Sequence, residues 1–263
     1  MHDFVFVFAG FAVGLIVGLT GVGGGSLMTP ILIFFFGVKP HLAIGTDLLF
    51  AAFTKMGGTV QLARAQLIDW PVVAQVAAGS VPASLLTLYA LQHFGATSAA
   101  TQAAMTTTLG IALLLTAAAT LYKAIAGKAG TDSATAEQRL QPTRPPHWSL
   151  PVIFGAGIGA LVTLTSVGAG AIGVTALMLL YPALGLPRIV AADIAHAVPL
   201  TLVAGLGHAS IGSVDWPLLV KLLAGSLPGI WLGATLMHKT PERVIRSLLS
   251  VLLAYAGVKL IAL

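Results

Sequence analysis

Eight apolar runs, at residues 4–36, 42–63, 71–92, 99–122, 150–181, 189–211, 216–237 and 243–263, take up most of this 263-residue chain. Most are near the ~20 residues that a helix needs to cross a bilayer. Only 8% of residues are charged, against about 25% in soluble domains, and the mean hydropathy is +0.97. So few charges cannot cover a water-facing surface. In lipid every backbone polar group must be satisfied internally, which leaves helices or closed barrels. Runs of helix length, rather than alternating ten-residue segments, exclude the barrel. The expected fold class is an all-α polytopic membrane protein embedded in the lipid bilayer of a prokaryotic cytoplasmic (inner) membrane. Cysteine is absent, so disulfides and thiolate metal sites are excluded, and no cofactor or metal is expected. The net charge of +5 reads as topology rather than as a nucleic-acid footprint. The opening "MHDFVFVF" lacks a basic n-region, so a cleavable signal peptide is not expected.

The fourth and fifth runs are separated by one polar stretch, residues 124–149, rich in Pro, Ser, Thr and charge. That composition is typical of a flexible linker. The flanking parts, 1–123 and 150–263, resemble one another. "LTGVGGG" (Leu19–Gly25) matches "LTSVGAG" (Leu164–Gly170), and "GTD" ending at Asp47 matches "AAD" ending at Asp193. "DWPVVAQVAAGSVPASLL" from Asp69 matches "DWPLLVKLLAGSLPGIWL" from Asp215. The offset is 145 residues at the glycine motif and 146 at the later two. Three matches in the same order indicate a duplication: two homologous four-segment halves. Each DWP aspartate can cap a helix start, with Trp and Pro in the first turn and the Trp at the membrane interface.

Each half begins with a run broken by glycines. Consecutive glycines break helices, whereas packing glycines recur every fourth residue. Each is expected to be a re-entrant hairpin, with half-helices at 10–20 and 26–36 in the first, or a helix unwound at the glycines; the alternative is that these glycines let helices pack closely. The second half-helix would start near Ser26 with its N–H groups and positive dipole end at mid-membrane, an anion site that needs no basic side chain. Backbone exposed at that depth must line an enclosed or watery cavity. The duplicated break, Ser166 to Ala171, would bring a second helix start to the same place.

The positive charges weigh two topologies. If all eight runs cross, six Lys/Arg fall on one side and five on the other, which is no bias. If the first and fifth runs return to the side they entered, nine fall on one side and two on the other, as the positive-inside rule requires. Each half then has three crossings, so the halves are inverted, a common transporter plan. Both termini are expected outside and the linker 124–149 inside.

"GLTGVGGGSLMTPIL" followed by "HLAIGTDLLFAAFTKMGG" and then the "DWP…AGSLPG" pattern resembles the TauE/SafE family of membrane transporters, over nearly the whole chain. The resemblance implies a secondary carrier for sulfite, sulfonates or other organosulfur anions. The second copy departs from the glycine pattern at Ser166 and Ala169, and Ala191-Ala192 replace Gly-Thr, so the two copies can contribute unequally.

Ionisable residues within spans are candidates for function. Asp47 and Asp193 hold matching places near the starts of their runs. Each can cap a helix, couple transport to a proton or cation, or pair with an intramembrane base. Lys55 lies too deep to snorkel easily and either pairs with an acid or faces the anion path. His196 shares a helix face with Asp193 and can shuttle a proton or be a plain core histidine. His208, near a run's end, reads as interfacial. The candidate anion contacts are Thr20, Gly23, Gly24, Gly25, Ser26, Thr46, Lys55, Thr165, Ser166, Gly168 and Gly170. Asp47, Asp193 and His196 are the candidate coupling groups. Single Ser and Thr hydroxyls are also commonly bonded to their own helix.

The leading function is a secondary transporter that moves a small anion by alternating access, not an enzyme. A passive anion channel is the alternative. An intramembrane serine hydrolase using Ser26 is a remote third. No G-x-x-x-x-G-K-[ST] motif for ATP is present in the sequence. The specific anion, the direction of transport, the coupling ion and the oligomeric state are not fixed by sequence.

Overall fold

A computed structural model describes residues 2–20, 25–126, 148–236 and 242–262. They form ten helices, with no strand among the described residues: α1 (His2–Thr20), α2 (Gly25–Phe36), α3 (Pro40–Arg64), α4 (Trp70–Phe94), α5 (Ala99–Ala126), α6 (Ser149–Thr165), α7 (Ala171–Leu180), α8 (Leu186–Ser210), α9 (Trp216–Leu236) and α10 (Glu242–Ile261). The first and fifth apolar runs are thus each two helices. Their arms are unequal, contrary to the two short half-helices expected. α1 has 19 residues, about 28 Å at 1.5 Å per residue, because its apolar sequence continues unbroken back to Phe4.

Among the described residues four helices are long and apolar enough to cross a membrane: α4, α5 over Ala99–Leu121, α8, and α9 over Trp216–Gly233. α3 matches α4 at 25 residues, but it carries Asp47, Lys55, Gln61 and Arg64 along its length. The helix starts follow sequence rules. Asp69 caps α4 by accepting from Val72 N at 3.4 Å, and Asp215 accepts from Leu218 N at 3.0 Å at the start of α9. Both are the expected aspartate caps, each satisfying one of the orphan first-turn donors. Pro at the first turn does the same by having no N–H to orphan.

Glycines set the helix pairs. A Cβ on Gly10 would stand 2.3 Å from Leu222 O, one on Gly14 2.4 Å from Ser226 O, and one on Gly233 2.3 Å from Leu15 O. α1 and α9 therefore run parallel with backbones in contact. The same holds for α4 and α6. A Cβ on Gly155 would stand 2.2 Å from Val76 O, and one on Gly159 2.2 Å from Ser80 O. Such close approach increases dispersion contact where no hydrophobic force acts between helices. α5 and α10 pack antiparallel through Gly110 and Gly257. α3 and α8 pack antiparallel at the centre, with Gly45 near His208, Leu49 on Gly205, and Gly58 near Ile194.

The polarity is arranged outside-in. Phe4 is 84% exposed and Leu179 80%, and Phe35, Trp148 and Trp231 also face outward, a surface suited to lipid rather than water. Inside lie Asp47, Lys55, Asp193, His196 and His208. An outward-opening groove between α4, α5 and the end of α6 is lined by Leu86, Phe94, Met105 and Leu164 and holds none of these ionisable residues.

Candidate functional site

The second glycine motif forms the wall of the site. α6 ends at Thr165, and Ser166 turns into the left-handed region at φ 59°. Gly168 and Gly170 follow at φ 133° and 126°, a conformation that side chains rarely tolerate. Thr165 Oγ1 donates to Leu161 O at 2.6 Å and accepts from Val167 N at 3.1 Å, so its hydroxyl holds the turn. α7 then begins at Ala171, with Gly173 N donating to Gly168 O at 3.0 Å. The positive end of its dipole lies at this break.

The central helices α3 and α8 bring their ionisable residues to this wall. Asp47 is fully buried, and Thr29 Oγ1 of α2 donates to its Oδ2 at 2.5 Å. Ser166 lies close enough to act on the same carboxyl group. Yet Ser166 Oγ and Asp47 Oδ1 both lack a well-directed hydrogen bond among the described residues. Lys55, two turns along α3, is within electrostatic reach of both Asp193 and Asp47. Asp193 packs on α7: a Cβ on Gly173 would stand 2.0 Å from its Oδ1. His196, one turn further along α8, bonds Ser80 Oγ of α4 at 2.8 Å and feels the charge of Lys55. Burying this many ionisable groups is tolerable only because they face one another.

Helix capping by the two aspartates is excluded. α3 is capped at Lys39 and α8 at Gly185, which places Asp47 and Asp193 seven residues inside their helices. Thr46 faces elsewhere, its Oγ1 accepting from Asp215 N at 3.0 Å at the start of α9. His208 is fully buried and bonds Thr163 O at 2.9 Å through Nε2, so it is not interfacial. Gly45 and Gly205 let α3 and α8 close over it. Gly23 and Gly24 lie outside the described residues, as do the side chains of Thr20 and Ser26. Gly25 is the first residue of α2. Sequence reasoning missed Thr29 and Ser80. Ser80 sits in the repeated "AGS" and was visible there as the partner of Ser226. Thr29 carried no signal of its own. Among the described residues no group of His, Cys, Asp or Glu could hold a metal ion.

A helical bundle with an apolar outer surface and a buried, charged centre has the build of a polytopic membrane protein. The family description "Sulfite exporter TauE/SafE" matches residues 6–260. The chain is 33% identical to the probable membrane transporter protein YjnA of Bacillus subtilis (strain 168), over 97% of this chain and 98% of that one. It is 28% identical to the probable membrane transporter protein YunE of the same organism, over 99% and 98%. It is also 28% identical to YdhB, over 95% and 97%. No solved structure matches. The chain belongs to the sulfite exporter TauE/SafE family.

Proposed function

We propose that this protein is a secondary transporter moving a small anion, sulfite, a sulfonate or another organosulfur anion, across the cytoplasmic membrane by alternating access. The observation that carries this reading is the placement of Lys55. It is a buried ammonium near carboxylates of both halves, on helices packed against a break whose backbone is held open by Gly168 and Gly170. Lys55 supplies the attraction for an oxyanion, and the Ser166 hydroxyl and the start of α7 supply hydrogen-bond donors. Asp193 is the counter-ion of Lys55 when the site is empty, with Asp47 and His196 beside it. The test is sulfite counterflow in proteoliposomes. The wild type exchanges labelled sulfite with saturation, and Lys55→Ala slows exchange by more than about tenfold, the equivalent of about 1.4 kcal/mol. Unsaturable flux would favour a channel, and unchanged exchange in Lys55→Ala would remove that residue from the path.

The halves 1–123 and 150–263 act as inverted repeats around this centre. Support comes from contacts made twice. Gly14 on Ser226 and Gly159 on Ser80 are equivalent under the 145- and 146-residue offsets, as are Gly10 on Leu222 and Gly155 on Val76. Helix direction supports the re-entrant path as well. α1 runs parallel to α9, whose start lies against the second turn of α3 through Thr46 and Asp215, and three residues separate α2 from α3. The first run therefore leaves and regains the same end of the bundle. At the other end α6 runs parallel to α4, the α4 start meets the α8 start through the Asp69–Arg188 pair at 3.4 Å, and α7 leads into α8. Six crossings remain, three per half, with both termini outside and the linker 124–149 inside. A cytoplasmic reporter fused at the C-terminus should be inactive, and an active one refutes this topology.

A further inference from the structure

The buried centre holds more negative than positive charge. Asp47 and Asp193 are carboxylates from the two halves, and Lys55 is the one cation within reach of both among the described residues. α5 and α9 also pack on α3, and Lys55 is the one charged group acting on Asp47. α2 contributes Thr29, the α6–α7 break contributes Ser166, α4 contributes Ser80, and α8 contributes His196 beside Asp193. None of these adds a fixed positive charge. Residues 21–24 are Gly, Val, Gly and Gly and carry no ionisable side chain. With both carboxylates ionised and the imidazole neutral, the centre carries one net negative charge. An entering anion deepens that deficit in surroundings that screen poorly.

The geometry of Asp47 shows where the deficit can be relieved. Its Oδ2 is taken by the Thr29 hydroxyl. Its Oδ1 is buried and lacks a hydrogen-bond partner among the described residues, and so does Ser166 Oγ beside it. An O–H on Oδ1 would have that hydroxyl oxygen as an acceptor. Resting on the anion-carrier reading above, we infer that the anion crosses together with a proton carried on Asp47 Oδ1, so that coupling is to protons rather than to sodium. Lys55 then remains available to the anion, with Asp193 as its resting counter-ion. The proton is taken from solution on the side where the anion enters and released on the side where it leaves, and the carboxylate re-forms.

The test uses the full chain in proteoliposomes with sulfoacetate, whose two acid groups are ionised near neutral pH and bring no proton of their own. Internal pH is followed with an entrapped dye under a potassium/valinomycin clamp. The expected result is sulfoacetate uptake driven by an inward proton gradient, indifferent to a sodium gradient, with at least one proton entering per anion. In Asp47→Asn the proton-to-anion ratio falls by one. Measuring a ratio keeps the result readable even where the variant is slow, and the wild-type gradient experiment needs no variant. Anion flux without proton movement, or flux driven by sodium, overturns the proton inference while leaving the carrier reading intact. An unchanged ratio in Asp47→Asn overturns the assignment to Asp47. Absence of exchange of sulfoacetate, sulfite and thiosulfate alike overturns the anion reading, and this inference with it.

Discussion

Two glycines on one turn of α6 are expected to respond oppositely to the same substitution. A Cβ on Gly155 would stand 2.2 Å from Val76 O and 3.1 Å from Val76 C. Both are backbone atoms of α4, so no side chain can swing away. The helices must part by more than an ångström, and the parallel α4–α6 contact, repeated one turn on at Gly159, opens with them. Overpacking of this kind costs about 1–3 kcal/mol. Gly157, two residues away, has nothing within 4 Å of where its Cβ would lie. There alanine gains helix propensity, about 1 kcal/mol. Gly155→Ala and Gly157→Ala should therefore differ by about 2–4 kcal/mol. At roughly 2–4 °C per kcal/mol this is a gap of roughly 4–16 °C in detergent, read by tryptophan fluorescence on heating, with Gly157→Ala at or above the wild type. Equal Tm values, or Gly157→Ala the lower, would refute the close α4–α6 packing and the pairing built on it.

Other expectations follow from single contacts. Gly173→Ala drives a methyl into the space of Asp193 Oδ1, 2.0 Å away, so it should reduce anion exchange by about tenfold or more in protein that still purifies as folded. Intact exchange would separate Asp193 from the site. Ser166→Gly relieves a left-handed backbone worth about 1 kcal/mol and removes a hydroxyl from the site, so Tm should rise while anion affinity falls. A fall in Tm would contradict the geometry seen at the break. The Asp69–Arg188 pair is partly exposed, at 14% and 30%, so a double-mutant cycle on thermal stability should give a coupling of about 1 kcal/mol or less. Asp69→Ala alone should lose about a further 1 kcal/mol through the α4 cap.

Much of the fold is written locally. Apolar runs, DWP caps and the polar linker depend on neighbouring residues, so α4, α5, α8 and α9 lie close to where their patterns place them. The unequal arms of the first run escape a local reading, because residues 4–19, "FVFVFAGFAVGLIVGL", are apolar throughout and nothing in them marks a half-span. Asp47 and Asp193 stand out as ionisable groups in apolar surroundings, but their depth depends on where α3 and α8 begin. Lys39-Pro40 and Gly185-Leu186-Pro187 set those starts, two and three residues earlier than the apolar runs do. Thr29, Ser80 and the burial of His208 arise from contacts between distant helices. Their residue types are common in helices facing anything, so composition and spacing do not distinguish them.

The central claim is that an anion reaches the Asp47–Lys55–Asp193 centre beside the α6–α7 break from each side in turn. Because the chain has no cysteine, Ser166→Cys creates a single thiol at that break without a large change in volume. The measurement is its rate of modification by a membrane-impermeant anionic methanethiosulfonate, applied to either face of oriented vesicles, with and without sulfoacetate. The account expects labelling from both faces and slowing by saturating sulfoacetate. A thiol that stays unreactive from both sides, or reacts at the same rate whatever the sulfoacetate concentration, would contradict it.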